Sequence, residues 1–159
     1  TSVFKISAVF PILIAERPWR RLNSNPVCFG AKGNQFGTFL VEVGGPIDAV
    51  KLVHLYGQVT CKESKGRRSI WGCGNRNLMV LLTNSTNAIL IPKVEEGHHK
   101  YTIEGYDSTS PEIIWKNFTT PVGLTSGQEL RLWFSKDLLD INEGGNNGTS
   151  CTDVFALYL

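Results

Sequence analysis

The sequence predicts an all-β protein: an antiparallel β-sandwich of about nine strands, with a jelly roll as the natural connectivity. Three observations carry that prediction. Short alternations of apolar and polar residues recur roughly every ten to fifteen residues, bounded by Gly, Pro and Asn clusters. No stretch of about twelve residues has the apolar spacing of an amphipathic helix. The sequence also closes on Cys151-Thr-Asp-Val-Phe-Ala-Leu-Tyr-Leu159, with no charged residue after Asp153, and such a run needs burial as an interior strand.

Taken in order, Val3 to Ala15 reads as a first strand, alternating at its start and then continuously apolar. Arg17 to Pro26 reads as a loop, because two prolines and an Asn-Ser-Asn cluster deny it a ladder. Phe36 to Val43 is a strand ended by Gly44-Gly45-Pro46. Ala49 to Thr60 is the longest, with Val50, Leu52, His54 and Tyr56 on one face. Leu78 to Thr83 and Ala88 to Pro92 form a hairpin around Asn84-Ser-Thr-Asn87. Tyr101 to Tyr106, Glu112 to Phe118, Glu129 to Phe134 and Thr152 to Leu159 complete the set, and Ser135 to Ile141 can form one helical turn at most.

The 159 residues suit one domain spanning 1–159, without internal repeat or linker. A net charge of +2 is too small to imply a nucleic-acid partner, for which a basic stripe and a higher pI are expected. The apolar run from Val3 to Ala15 is too short to span a bilayer and is broken by Lys5 and Pro11, so it implies no membrane insertion. Three acceptor sequons, at Asn84, Asn117 and Asn147, together with four cysteines, indicate a secreted or cell-surface protein.

Four cysteines allow three connectivities. Cys61 and Cys73 bracket a loop that leaves one strand and returns toward another, so Cys61–Cys73 with Cys28–Cys151 is the expected connectivity among the three. The bracketed loop carries Lys62, Lys65, Arg67 and Arg68 beside Trp71, a combination suited to an anionic glycan or an acidic protein patch. A second candidate site is the loop from Ser135 to Ser150. It concentrates oxygen ligands in Asp137, Asp140, Asn142, Glu143, Asn146 and Asn147, with Asp153 just beyond. This is not an EF-hand, yet Asp137, Asp140, Glu143 and Asp153 suit a structural Ca2+, which accepts six to eight oxygens in flexible geometry.

Catalytic signatures are missing: there is no Gly-x-Ser-x-Gly, no His-Glu-x-x-His and no phosphate loop. The sequence reads as a binding module and not as an enzyme. The strand order, the oxygen-rich loop and the ending Cys151-x-Asp153-Val-Phe-Ala resemble extracellular galactose-binding-like jelly rolls. Thr125 through Ala156 also resembles ectodomain modules of invertebrate surface proteins. The resemblance implies sugar binding through loops at one end of a sandwich and a structural calcium near the terminal strands. Two functions follow as expectations: a carbohydrate-binding module, or a protein-binding adhesion module without lectin activity.

Overall fold

A computed structural model describes residues 17–159 other than 117, together with 3, 5, 7–9 and 11. The expected strand from Val3 to Ala15 and the sequon at Asn117 therefore lie outside the described residues, the first in most of its length. Among the described residues, eleven strands form two antiparallel sheets packed face to face. In chain order they are β1 (Arg20–Arg21), β2 (Val27–Gly30), β3 (Gly37–Leu40), β4 (Gly45–Thr60), β5 (Arg68–Ser69), β6 (Val80–Asn84), β7 (Ile89–Ile91), β8 (Glu112–Trp115), β9 (Val122–Leu124), β10 (Glu129–Phe134) and β11 (Asn147–Tyr158). One helical turn, α1 (Ser135–Leu138), follows β10. The first sheet is built on β4 and β11, which pair from Asn147↔Thr60 to Tyr158↔Ile47; the second runs β3-β10-β6-β7.

The terminal apolar run is interior, as its composition demands. β11 has β4 along one edge and β1 and β2 along the other. Alternation then sorts its side chains: Val154 and Ala156 are buried in the core, while Asp153, Phe155 and Leu157 turn to the outer face. β10 does the same from the facing sheet, sending Leu130, Leu132 and Phe134 into the core. Its outward Trp133 packs on Phe36, with ring centroids 4.8 Å apart. Phe29 stacks between Phe134 and Trp71, joining both sheets and the 61–73 loop in one aromatic stack.

The differences from the sequence reading have local causes. β2 escaped notice because Val27-Cys-Phe-Gly30 follows Pro26 with no apolar–polar alternation, and β1 because it is two residues beside prolines. Tyr101 to Tyr106 is not a strand. Only Tyr101 bridges, to Leu78, and its hydroxyl donates to the Val80 carbonyl at 2.7 Å. The face expected for Ala49 to Thr60 holds through Leu52. A register shift between Cys151 and Thr152 then breaks it, next to Gly57 at φ +81°. A Cβ at residue 57 would lie 2.2 Å from the Thr149 carbonyl oxygen, so the chains meet there without room for a side chain.

Both expected disulfides are present, Cys28–Cys151 and Cys61–Cys73. The first joins directly opposed residues of β2 and β11; the second closes a loop at the end of β4. Among the described residues no helix is long and apolar enough to cross a membrane.

Candidate binding cleft

Three loops meet at one end of the sandwich, and their backbones are stitched by buried polar side chains. Residues 31–36 join β2 to β3, residues 61–73 carry the second disulfide, and residues 135–146 join β10 to β11. Asn146 is fully buried at their junction. Its Oδ1 accepts from the Lys62 N–H at 3.4 Å and its Nδ2 donates to the Ala31 carbonyl at 3.1 Å. Asp137 is equally buried, and its two carboxylate oxygens accept the Asn34 and Gln35 N–H groups, each at 2.8 Å. These bonds satisfy a turn that would otherwise leave its amides unpaired.

The 61–73 loop is rigid for equally specific reasons. Ser64 ends a short 3-10 turn, Lys62–Ser64, where its hydroxyl donates to the Cys61 carbonyl at 2.6 Å and accepts the Cys61 N–H at 3.2 Å. Trp71, read from sequence as a stacking surface, is instead a core residue with no exposed surface. Its Nε1–H donates to the Ser110 carbonyl at 2.7 Å, and its ring meets Phe29 and, edge-on, His54. The physical reason is that a closed loop in a small sandwich needs an apolar anchor, and the indole supplies one with its polar edge satisfied. Lys62, Lys65, Arg67 and Arg68 remain exposed, as the sequence reading required.

Between this loop and the 142–145 segment lies an open cleft of about 600 Å³, lined by Lys62, Glu63, Lys65, Asn142, Gly144 and Gly145. The walls approach closely at its floor. A Cβ on Gly145 would fall 2.4 Å from the Lys62 Cβ and 2.7 Å from its Cγ and Cδ, so the lysine stem lies where a side chain at 145 would be. A second link is Lys136, only 2% exposed, whose Nζ lies 2.5 Å from Glu63 Oε1. Neither Lys136, Glu63 nor Gly145 was singled out in the sequence. A lysine in a four-residue helical turn carries no sign that it will be buried, and the partner lies 73 positions away.

The acidic residues divide. Glu143 accepts the Gly33 N–H at 3.2 Å and has the carboxyl groups of Asp137 and Asp140 as neighbours. Burial first, then the Asp137 carboxyl, push the Glu143 carboxyl above its ordinary range. Asp153 does not join them. It sits on β11 opposite Val53 and accepts from Asn23 Nδ2 at 2.7 Å. Gly148 contacts Ala31 of the 31–36 loop, and at about 3.3 Å per strand residue Asp153 is about 16 Å further along. Proximity in sequence was misleading because β11 begins at Asn147 and carries Asp153 away from the loop. Among the described residues, the only three metal-ligating groups found within 4.8 Å of one another are Cys61, Glu63 and Cys73, and both sulfurs are in the disulfide. The Asp137, Asp140 and Glu143 carboxyls are more loosely gathered.

The sequons also separate. Asn84 turns β6 into β7, pairing with Leu130 at the end of β10 away from α1. Asn147 pairs with Thr60 on β4, one residue before the disulfide-closed loop.

Two antiparallel sheets packed face to face, with loops gathered at one end, place the chain among the all-β sandwich folds. The resemblance to solved structures is more specific. AJLec, a lectin from the sea anemone Anthopleura japonica, superposes with a TM-score of 0.77 at 34% sequence identity, over 90% of this chain and 98% of that one. The chain belongs to the family of this sea anemone lectin. No protein-family model and no curated protein matches it.

Proposed function

We propose that the chain is a secreted carbohydrate-binding module whose glycan occupies the cleft between the 61–73 and 142–145 segments. The observation that carries this reading is the cleft itself: loops at one end of a sandwich, in a family that includes a lectin. Its lining offers ammonium and amide donors to sugar hydroxyls, on a backbone held by a disulfide and by buried Asn146 and Trp71. Rigid walls lower the ordering cost of binding. The galactose-like specificity implied by the sequence resemblance is the first to test. Two disulfides suit an oxidising compartment.

Calcium belongs to the same proposal. Asp137, Asp140 and Glu143 are three carboxyl groups in one neighbourhood, and their mutual repulsion is relieved by a proton or by a hard cation. Asp137 would be the fixed ligand, while exposed Asp140 and half-exposed Glu143 would close inward. Asn84 is the favoured glycosylation site. Its Oδ1 accepts from the Thr86 N–H, the Thr86 hydroxyl and the Ala88 N–H, and among the described residues its Nδ2 makes no hydrogen bond. A glycan there would stand clear of the cleft, whereas one at Asn147 would border it.

The test is a glycan array probed with the purified protein, with calcium and with chelator. Binding of a defined glycan class that is lost in Asp140→Asn with Glu143→Gln supports both parts. Binding indifferent to chelator removes calcium from the reading. Absence of any glycan ligand favours the adhesion module that recognises protein.

A further inference from the structure

We propose that the cleft selects glycans bearing an anionic group, a sulfate ester or a carboxylate, and that Lys62 and Lys65 provide the selection. The inference rests on the glycan-binding reading above and narrows it to a ligand class. The segment from Lys62 to Arg68 holds four cations, Lys62, Lys65, Arg67 and Arg68, and a single acid, Glu63. That acid is engaged by Lys136. Among the described residues none of the four cations makes an ion pair, whereas Arg17 pairs with Asp48 and Arg131 with Glu129 elsewhere on the surface. All four are exposed, and the two lysines line the cleft.

A charge run on a mobile hairpin tip is ordinarily a solvated face. This one differs in three respects. It is closed by Cys61–Cys73, fixed in its first turn by Ser64, and anchored by the buried Trp71. The Lys62 stem is held against Gly145, so only the end of that side chain is left to be ordered by a ligand. Lys65 sits at a left-handed backbone position, φ 51°, where the 3-10 turn ends. The facing wall contributes Asn142, Gly144 and Gly145, none of them charged. Asp140 and Glu143 stand near that wall and would oppose an anion, so the preference is largest when a divalent cation counters them.

The experiment measures affinity for a matched set of immobilised disaccharides in calcium. Its members share a core and differ only in carrying no anion, one sulfate ester or one sialic acid. An anionic member should bind about ten-fold more tightly than the neutral one at low ionic strength, the combined effect of two exposed charge contacts. The ratio should fall as salt is raised. Lys62→Gln with Lys65→Gln should bring the ratio close to one. The sulfate and sialic acid arms identify which anion the cleft prefers. Equal affinity across the set, or a preference that survives the double substitution, overturns this inference alone. Failure of every member to bind overturns the glycan reading and this inference with it.

Discussion

Replacing Trp71 by alanine distinguishes a core anchor from a ligand-stacking residue. The indole has no exposed surface, packs on Phe29 and His54, and donates its N–H to Ser110. Removing a fully buried Trp side chain costs about 3–5 kcal/mol through lost transfer energy and the residual cavity. The Ser110 carbonyl, losing its donor, adds about 1 kcal/mol or more unless water reaches it. A loss of about 4–6 kcal/mol is a large part of the ~5–15 kcal/mol that holds a domain folded. Trp71→Phe keeps most of the ring and loses the donor, so about 1–2 kcal/mol is expected. Guanidinium unfolding with both disulfides intact reads these values directly. Glycan affinity per folded molecule should be little changed in Trp71→Phe. A Trp71→Ala protein destabilised by less than ~1 kcal/mol would refute the assignment. So would a stably folded Trp71→Phe that no longer binds any glycan.

Two further predictions concern the cleft walls. Gly145→Ala needs no unusual φ but meets the base of the Lys62 stem, so it should cost about 1–3 kcal/mol while separating the walls and weakening glycan affinity in titrations. Unchanged affinity would mean that the glycan does not span both walls. The second concerns pH. Glu143 titrates above its ordinary 4.5, so the folded state holds its proton longer than the unfolded state does. Without calcium, stability should therefore decline as pH rises from 4.5 through the folded-state titration. Added calcium should raise the melting temperature increasingly over the same span, because proton and cation compete for one carboxylate. Melting curves across pH, with calcium and with chelator, measure both effects, and Glu143→Gln should remove them.

The fold was legible where a single local pattern decided it. The alternation from Glu129 to Phe134 marked a strand, the apolar run after Asp153 marked an interior one, and the cysteine-bracketed loop pointed to its own closure. The site was legible only as two separate loops. What joins them is long-range: Asn146 bridging Ala31 and Lys62, Gly145 against the Lys62 stem, and Asp137 capping Asn34 and Gln35. None of these has a periodicity, because a polar side chain that satisfies a distant backbone reads in sequence like any solvated turn residue. Trp71 and Asp153 were misplaced for related reasons. A tryptophan among cations looks exposed until its loop folds back on the sandwich, and an acid near a loop looks part of it until the strand boundary is known.

The Lys136–Glu63 pair gives that long-range coupling a measurable asymmetry. Lys136 is 2% exposed and belongs to α1, while Glu63 is 55% exposed on the disulfide-closed loop and lines the cleft. Glu63→Gln leaves a buried ammonium without its counter-charge, and because water already screens the exposed carboxylate the cost should be about 1–3 kcal/mol, below that of breaking a fully buried pair. Lys136→Met instead leaves a carboxylate that water already reaches and puts an apolar chain of similar length in the buried site, so about 1 kcal/mol or less is expected. A double-mutant cycle by chemical unfolding should therefore show Glu63→Gln as the costlier single change, with most of that cost absent once Lys136 is Met. The Glu63→Gln protein should also lose glycan affinity, because the freed lysine loosens the contact that sets one wall against the other. Equal costs for the two single substitutions would mean that Lys136 reaches water when unpaired, and the two loops would then be held together by Asn146 and the Gly145 contact alone.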